Sequence, residues 1–130
     1  MERDADRAAR EYREFSSTLR QLPISPTLRF HSTQRTVWAQ GVKRTLTDRQ
    51  FRVLAYLITL GGRIASREEV LAAVWGDTRP RQGSRTVDMQ VARIRERLSL
   101  PTVILTVRGR GYRFNAAIAV TESADGFNGW

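Results

Sequence analysis

The sequence predicts a small α+β domain in which a short antiparallel sheet precedes three helices and a β-hairpin follows them. Three observations carry this. Apolar residues recur at helical spacing in three consecutive segments, each opened by a serine or threonine and closed by glycine or followed by proline. Before and after those segments the period shortens to that of strands. The 130 residues suit one core with flanking segments, and are too few for two domains of usual size. The organisation expected is an N-terminal helix and linker over 1–27, the domain over 28–115 and a tail over 116–130.

Residues Asp4 to Leu22 read as a helix, because Ala5, Ala8, Tyr12, Phe15, Leu19 and Leu22 follow one another at alternating steps of three and four. Such a seam packs on its own domain or pairs with a second copy in a homodimer, and disorder is a third reading. Pro23 and Pro26 end the segment, since proline disfavours the helical region for the residue before it. From Leu28 to Leu46, Leu28 alternates with Phe30, and Val37 with Ala39 or Thr36 with Trp38, with turns at Ser32–Gln34 and Gly41. This reads as about three short antiparallel strands, with Trp38 packed between the sheet and a helix.

The first core helix begins at Thr47, which forms a capping-box pattern with Gln50; Phe51, Leu54, Ala55 and Ile58 make its apolar face and Gly61-Gly62 stops it. The second repeats the grammar with Ser66, Glu69, an inward set of Val70, Leu71, Val74 and Trp75, and Gly76. A polar loop from Gly76 to Gly83 follows. The third helix starts near Ser84, and Val87, Val91, Ile94 and Leu98 occupy only about 60° of its circumference at 100° per residue. Its opposite side then presents Arg85, Met89, Ala92, Arg93 and Glu96, with Thr86 on a flank. Beyond Pro101, Val103–Val107 and Tyr112–Phe114 are strands joined by the glycine-rich turn Arg108-Gly109-Arg110-Gly111.

The charge balance, 22 basic against 13 acidic residues for a net of +9, points to a polyanionic partner. Its distribution is uneven. From Arg79 to Arg113 nine arginines face only Asp88 and Glu96, whereas Met1 to Leu22 carries five arginines and five carboxylates. With no cysteine, disulfides, thiolate metal sites and cysteine nucleophiles are excluded, and His31 is the only histidine. No cofactor is implied, and an enzyme is not expected, because the usual general bases, nucleophiles and metal-ligand sets are missing. Neither a membrane span nor a signal peptide is legible, so a cytoplasmic, nucleoid-associated protein is expected.

A small sheet, three capped helices and an arginine-tipped hairpin together resemble the OmpR/PhoB-like winged helix-turn-helix, the effector domain of many bacterial response regulators. The resemblance covers about Leu28 to Phe114 and rests on LTDRQFRVLAYL, SREEVLAAVWG, SRTVDMQVARIRERL and TVRGRGYRF in this order. It implies a sequence-specific regulator of transcription that binds double-stranded DNA, with recognition helix 84–98 in the major groove and wing 106–114 at the minor groove. It also implies tandem binding to direct-repeat half-sites, with loop 76–83 where such proteins often touch RNA polymerase. Two features depart from the pattern. The 27 residues before Leu28 are too few for a receiver domain, so control by aspartyl phosphate is not carried over; and Ala92 stands where a polar or basic residue is frequent, so no operator is borrowed.

The candidate site residues follow from this geometry. Arg81, Arg95, Arg97 and Arg113 are expected to contact phosphates, together with the backbone amides at the N-terminus of the third helix. Arg85 and Arg93 are the expected base readers, since a guanidinium offers paired donors to guanine O6 and N7; Met89 and Ala92 offer apolar surface to a thymine methyl. Asp88 is expected to steady Arg85, three residues earlier. At the wing tip, Gly109 and Gly111 are expected to let the backbone approach DNA while Arg108 or Arg110 enters the minor groove. Tyr112 is expected to anchor the strand, with a phosphate hydrogen bond as a second role. The rival readings are a protein-interaction module working through the N-terminal seam, and a single-strand RNA reader, for which the basic region offers only Tyr112 and Phe114 as stacking rings.

Overall fold

The computed structural model describes residues 27–31 and 33–122. The expected helix over Asp4–Leu22 and the last residues of the tail lie outside the described residues. Strand β1 (Thr27–His31) pairs antiparallel with β2 (Thr36–Ala39), and β2 with β3 (Val42–Thr45). Gln40 and Gly41, both at positive φ (54° and 83°), make the two-residue β2–β3 turn whose twist suits a hairpin. Val37 and Ala39 face the core. Trp38 therefore points to the opposite side of the sheet, half-buried, with the Arg29 guanidinium 5.3 Å from its ring centroid. The packing expected for Trp38 is not on the core face of the sheet, which strand alternation gives to Val37 and Ala39.

Three helices follow. In α1 (Asp48–Thr59) the Thr47 hydroxyl accepts the Gln50 amide at 3.2 Å and the Gln50 side chain accepts the Thr47 amide at 3.1 Å, the predicted capping box. Its buried residues are Phe51, Val53, Leu54 and Leu57, whereas the predicted Ala55 and Ile58 are only half-buried. The helix sits centrally against both other helices and the hairpin, so its covered arc is wider than a single stripe and turned toward Val53 and Leu57. In α2 (Arg67–Trp75) the Ser66–Glu69 box forms, and Val70, Leu71, Val74 and Trp75 are buried as the periodicity predicts. In α3 (Arg85–Arg97) Val87, Val91 and Ile94 are wholly buried, and Leu98 follows them into the core.

Strands β4 (Ile104–Val107) and β5 (Gly111–Phe114) form the predicted hairpin as a separate two-stranded sheet. Strand β6 (Ala119–Glu122) then returns to the first sheet and pairs parallel with β1, Leu28 opposite Val120. The first sheet thus has the order β3-β2-β1-β6, its predicted antiparallel part extended by one parallel strand. Among the described residues no helix is long and apolar enough to cross a membrane.

Candidate nucleic-acid interface

Burial of Val87, Val91 and Ile94 determines what α3 shows to solvent. Arg85, Met89, Ala92, Arg93 and Glu96 are all exposed, Met89 at 44%, which for a large apolar side chain on a basic face leaves its surface free for an apolar partner group. The side chains of Arg85 and Arg93 make no hydrogen bond or ion pair with any described residue. Thr86 is half-buried on the flank, its hydroxyl enclosed without a hydrogen-bond partner among the described residues. In the preceding loop Arg81 is exposed and likewise free of described partners, while Arg79 pairs with Glu68 at 2.8 Å and holds the loop to α2.

Several expected contacts are engaged within the chain instead. Asp88 does not steady Arg85. Its carboxylate accepts from Nε and an amino group of Arg67, at 3.0 and 2.5 Å, and from the Tyr112 hydroxyl at 2.5 Å. The i−3 neighbour on the helix loses to a bidentate partner brought in from the start of α2. The Arg95 guanidinium donates to the Ile104 carbonyl at 3.0 and 2.6 Å and to the Thr106 hydroxyl at 2.9 Å, and lies 5.9 Å from the Tyr112 ring centroid. Half-buried against the hairpin, it joins α3 to β4 and is not turned outward as a phosphate contact requires. Arg97 gives its Nε to the Thr45 carbonyl at 2.9 Å but stays exposed.

The amides at the start of α3 are also occupied. Those of Arg85, Thr86 and Val87 donate to the carbonyls of Gln82, Gly83 and Ser84, because the loop enters the helix through tight turns and Ser84 is itself helical (φ −66°, ψ −16°). The helix dipole remains; the free donors expected there do not.

At the hairpin tip, Arg108 and Arg110 are exposed, their guanidinium groups free of described partners. Gly109, with φ 75°, is the third residue of a turn closed by the Arg110 amide on the Val107 carbonyl at 2.9 Å. The two arginines lie on different sides of the wing. Arg110 borders a cleft of about 500 Å³ toward Asp88 and Ser84, and Arg108 borders an open groove of about 830 Å³ shared with Arg63 and Arg113. Arg113, half-buried on the outer face of β5, also has no described partner. Gly111 serves the fold. A Cβ there would stand 2.0 Å from the Ala65 carbonyl oxygen, where Ala65 and Tyr112 exchange backbone hydrogen bonds of 2.8 and 2.9 Å. The close approach expected toward DNA at this glycine is an approach to the chain's own backbone.

Tyr112 is an anchor, as predicted, buried at 8% exposure. Burial pushes its phenol up to about 12, and the hydrogen bond to Asp88 and the charge of that carboxylate act in the same direction. Its single proton is held by Asp88, so a hydrogen bond from it to a phosphate would have to break that contact. Sequence reasoning missed Arg67 and Ala65. Neither carries a local signal, since Arg67 meets Asp88 only through the packing of α2 on α3, and Ala65 meets Tyr112 only through the docking of the hairpin.

The family model described as "Transcriptional regulatory protein, C terminal" matches residues 41–114, from the β2–β3 turn to the end of β5. The chain is similar to a probable transcriptional regulator, ycf27, of Porphyra purpurea, 34% identical over 100 residues, covering 73% of this chain and 41% of the relative. It is also similar to the phosphate regulon transcriptional regulatory protein PhoB of Rhizobium meliloti (strain 1021), 44% identical over 66 residues, covering 48% and 29%. Measured by the first of these, the chain spans about two fifths of the length of the curated relatives it matches. Among solved structures, the DNA-binding domain of Bacillus subtilis CssR aligns with a TM-score of 0.60 at 30% identity, over 68% of this chain and 99% of that one. The DNA-binding domain of Klebsiella pneumoniae RstA, solved in complex with the RstA box, aligns at 0.54 and 32% identity, over 63% and 84%.

Proposed function

The chain belongs to the family of C-terminal domains of transcriptional regulatory proteins, and on that premise we propose that it is a sequence-specific double-stranded-DNA-binding domain of a transcription regulator. Helix α3 enters the major groove and the β4–β5 hairpin lies at the adjacent minor groove. The observation that carries this reading is that Arg85 and Arg93 on the outward side of α3, and Arg108 and Arg110 on the two sides of the hairpin tip, all stand exposed with no described partner for their guanidinium groups. Unpaired guanidinium groups at such density repel one another and are relieved by a polyanion.

Within the site, Arg85 and Arg93 read bases, with guanine the natural target of a bidentate guanidinium, and Met89 and Ala92 face thymine methyl groups. Arg81, Arg97 and Arg113 hold phosphates. Thr86 flanks the readers. Asp88, Arg95 and Tyr112, engaged inside the domain, act on DNA by positioning rather than by contact. The resemblance to response-regulator effector domains supports binding of copies in tandem to direct-repeat half-sites and contact with RNA polymerase through loop 76–83, and the heptad spacing from Ala5 to Leu22 supports a homodimer through the N-terminal seam. Selecting bound fragments from a random duplex pool gives the half-site spacing and tests the first. Polymerase binding by a loop variant such as Arg81→Ala tests the second, and sedimentation of the chain with and without residues 1–22 tests the third.

The test of the central reading is a titration of labelled duplex at several salt concentrations. Three phosphate contacts predict a slope of about −2.7 in log affinity against log salt, from about −0.9 per neutralised phosphate. A flat response would refute it and favour a protein-interaction module.

A further inference from the structure

We infer that Asp88, Arg67 and Tyr112 form a junction that sets the position of the wing relative to the recognition helix, so that major-groove and minor-groove contacts are made as one unit. The inference rests on the reading of α3 and the hairpin as DNA contacts. It starts from a weakness of the fold. The hairpin is a sheet of two strands, separate from the four-stranded sheet, and such a ribbon is marginally stable by itself. Its direction in space must come from its attachments to the helices.

Besides the Ala65–Tyr112 backbone pair with the α1–α2 loop, two side-chain attachments stand on one flank of α3. Asp88 and Arg95 are seven residues apart, two turns of the helix, and so lie on the same side. Asp88 grips β5 through the Tyr112 hydroxyl at 2.5 Å. Arg95 grips β4 through the Ile104 carbonyl and the Thr106 hydroxyl. Arg67, the first residue of α2, closes the arrangement with two hydrogen bonds to the Asp88 carboxylate. One carboxylate on the recognition helix therefore ties together the second helix, the third helix and the wing strand. Tyr112 stands two residues from Arg110, so a tilt of the strand at Asp88 is carried directly to the tip. Arg67 does a second thing. Its charge offsets that of Asp88, an acid on a helix that approaches phosphates and would otherwise oppose binding.

The test is a double-mutant cycle in the whole chain, read as duplex affinity at fixed salt. One arm removes the tip (Arg108→Ala with Arg110→Ala). The other loosens the junction by Tyr112→Phe, which keeps the buried ring and deletes only the hydroxyl. The expected result is that loss of the tip weakens binding about fivefold more in the wild-type background than in the Tyr112→Phe background, a coupling typical of residues in one network. Equal losses in both backgrounds would overturn the junction while leaving the wing reading intact. No loss in the wild-type background would overturn the wing reading and the junction with it. Should Tyr112→Phe not fold, Arg67→Gln replaces it in the cycle, since Arg67 is 42% exposed and outside the core. The same two outcomes then decide.

Discussion

Gly111 offers the sharpest test of how the hairpin is held. Replacing it with alanine puts a methyl carbon 2.0 Å from the Ala65 carbonyl oxygen and 2.8 Å from both the Ala65 carbonyl carbon and Ser66 Cα. These are backbone atoms, which cannot rotate away as a side chain can. Relief requires β5 to move off the α1–α2 loop, and that breaks the two Ala65–Tyr112 hydrogen bonds. At a net of about 0.5–1.5 kcal/mol each, their loss costs about 1–3 kcal/mol. The φ of 140° adds a conformational cost for a residue with a Cβ, about 1–2 kcal/mol. The total expected is about 2–5 kcal/mol, a large part of the ~5–15 kcal/mol that stabilises a typical domain. Gly109→Ala is the control, because it shares a positive φ but meets nothing within 4 Å; its expected cost is about 1–2 kcal/mol. Denaturant unfolding followed by circular dichroism measures both. If the two variants lose equal stability, the docking of the hairpin on Ala65 is not the constraint described.

Three other outcomes are expected. Arg93→Ala flattens the preference among duplex sequences with little change in salt slope, whereas Arg113→Ala weakens all sequences alike and lowers the slope by about 1; equal effects on every duplex would end the division into readers and phosphate contacts. Val91→Ala removes wholly buried methyl groups beneath the recognition helix and costs about 1–3 kcal/mol by thermal unfolding, with duplex binding following the folded fraction. Because the Tyr112 phenol is raised to about 12 in the fold from the ordinary 10, its contribution to stability is complete below pH 10 and is lost as pH rises toward 12. The unfolding free energy measured across that window falls in the wild type, and Tyr112→Phe removes this part of the fall.

What was legible in the sequence is what is encoded within a few residues. Thr47 with Gln50 and Ser66 with Glu69 announce two helix starts because a capping box is complete in four residues, and both form. The four-three-four spacing of Val87, Val91, Ile94 and Leu98 determined the buried side of α3, and with it the direction of Arg85 and Arg93. What was not legible depends on partners far along the chain. Strand β6 has one half-buried apolar residue, Val120, and exists by pairing with β1 some ninety positions earlier, so no local period marks it. Asp88 looked like a partner for Arg85 because helical neighbours are the only partners a sequence displays; Arg67, 21 residues away, prevails through a bidentate geometry that only the packing of α2 on α3 provides.

The same distinction explains why the arginines divided as they did. Composition counted all nine from Arg79 to Arg113 as one basic patch. The fold separates them by what lies within reach of each guanidinium. Arg79 finds Glu68 and Arg95 finds the hairpin; Arg97 gives one nitrogen to the end of β3 but stays exposed and belongs with Arg81, Arg85, Arg93, Arg108, Arg110 and Arg113, whose guanidinium groups find no described partner. A binding surface is thus the remainder left after internal demands are met, and here that remainder lies on the outward face of α3, on the loop before it and on the hairpin. The internally engaged group has its own part in recognition. By holding helix and hairpin at one angle, Arg95 with the Asp88–Tyr112 contact spares the complex the entropy of ordering two separate elements on the duplex.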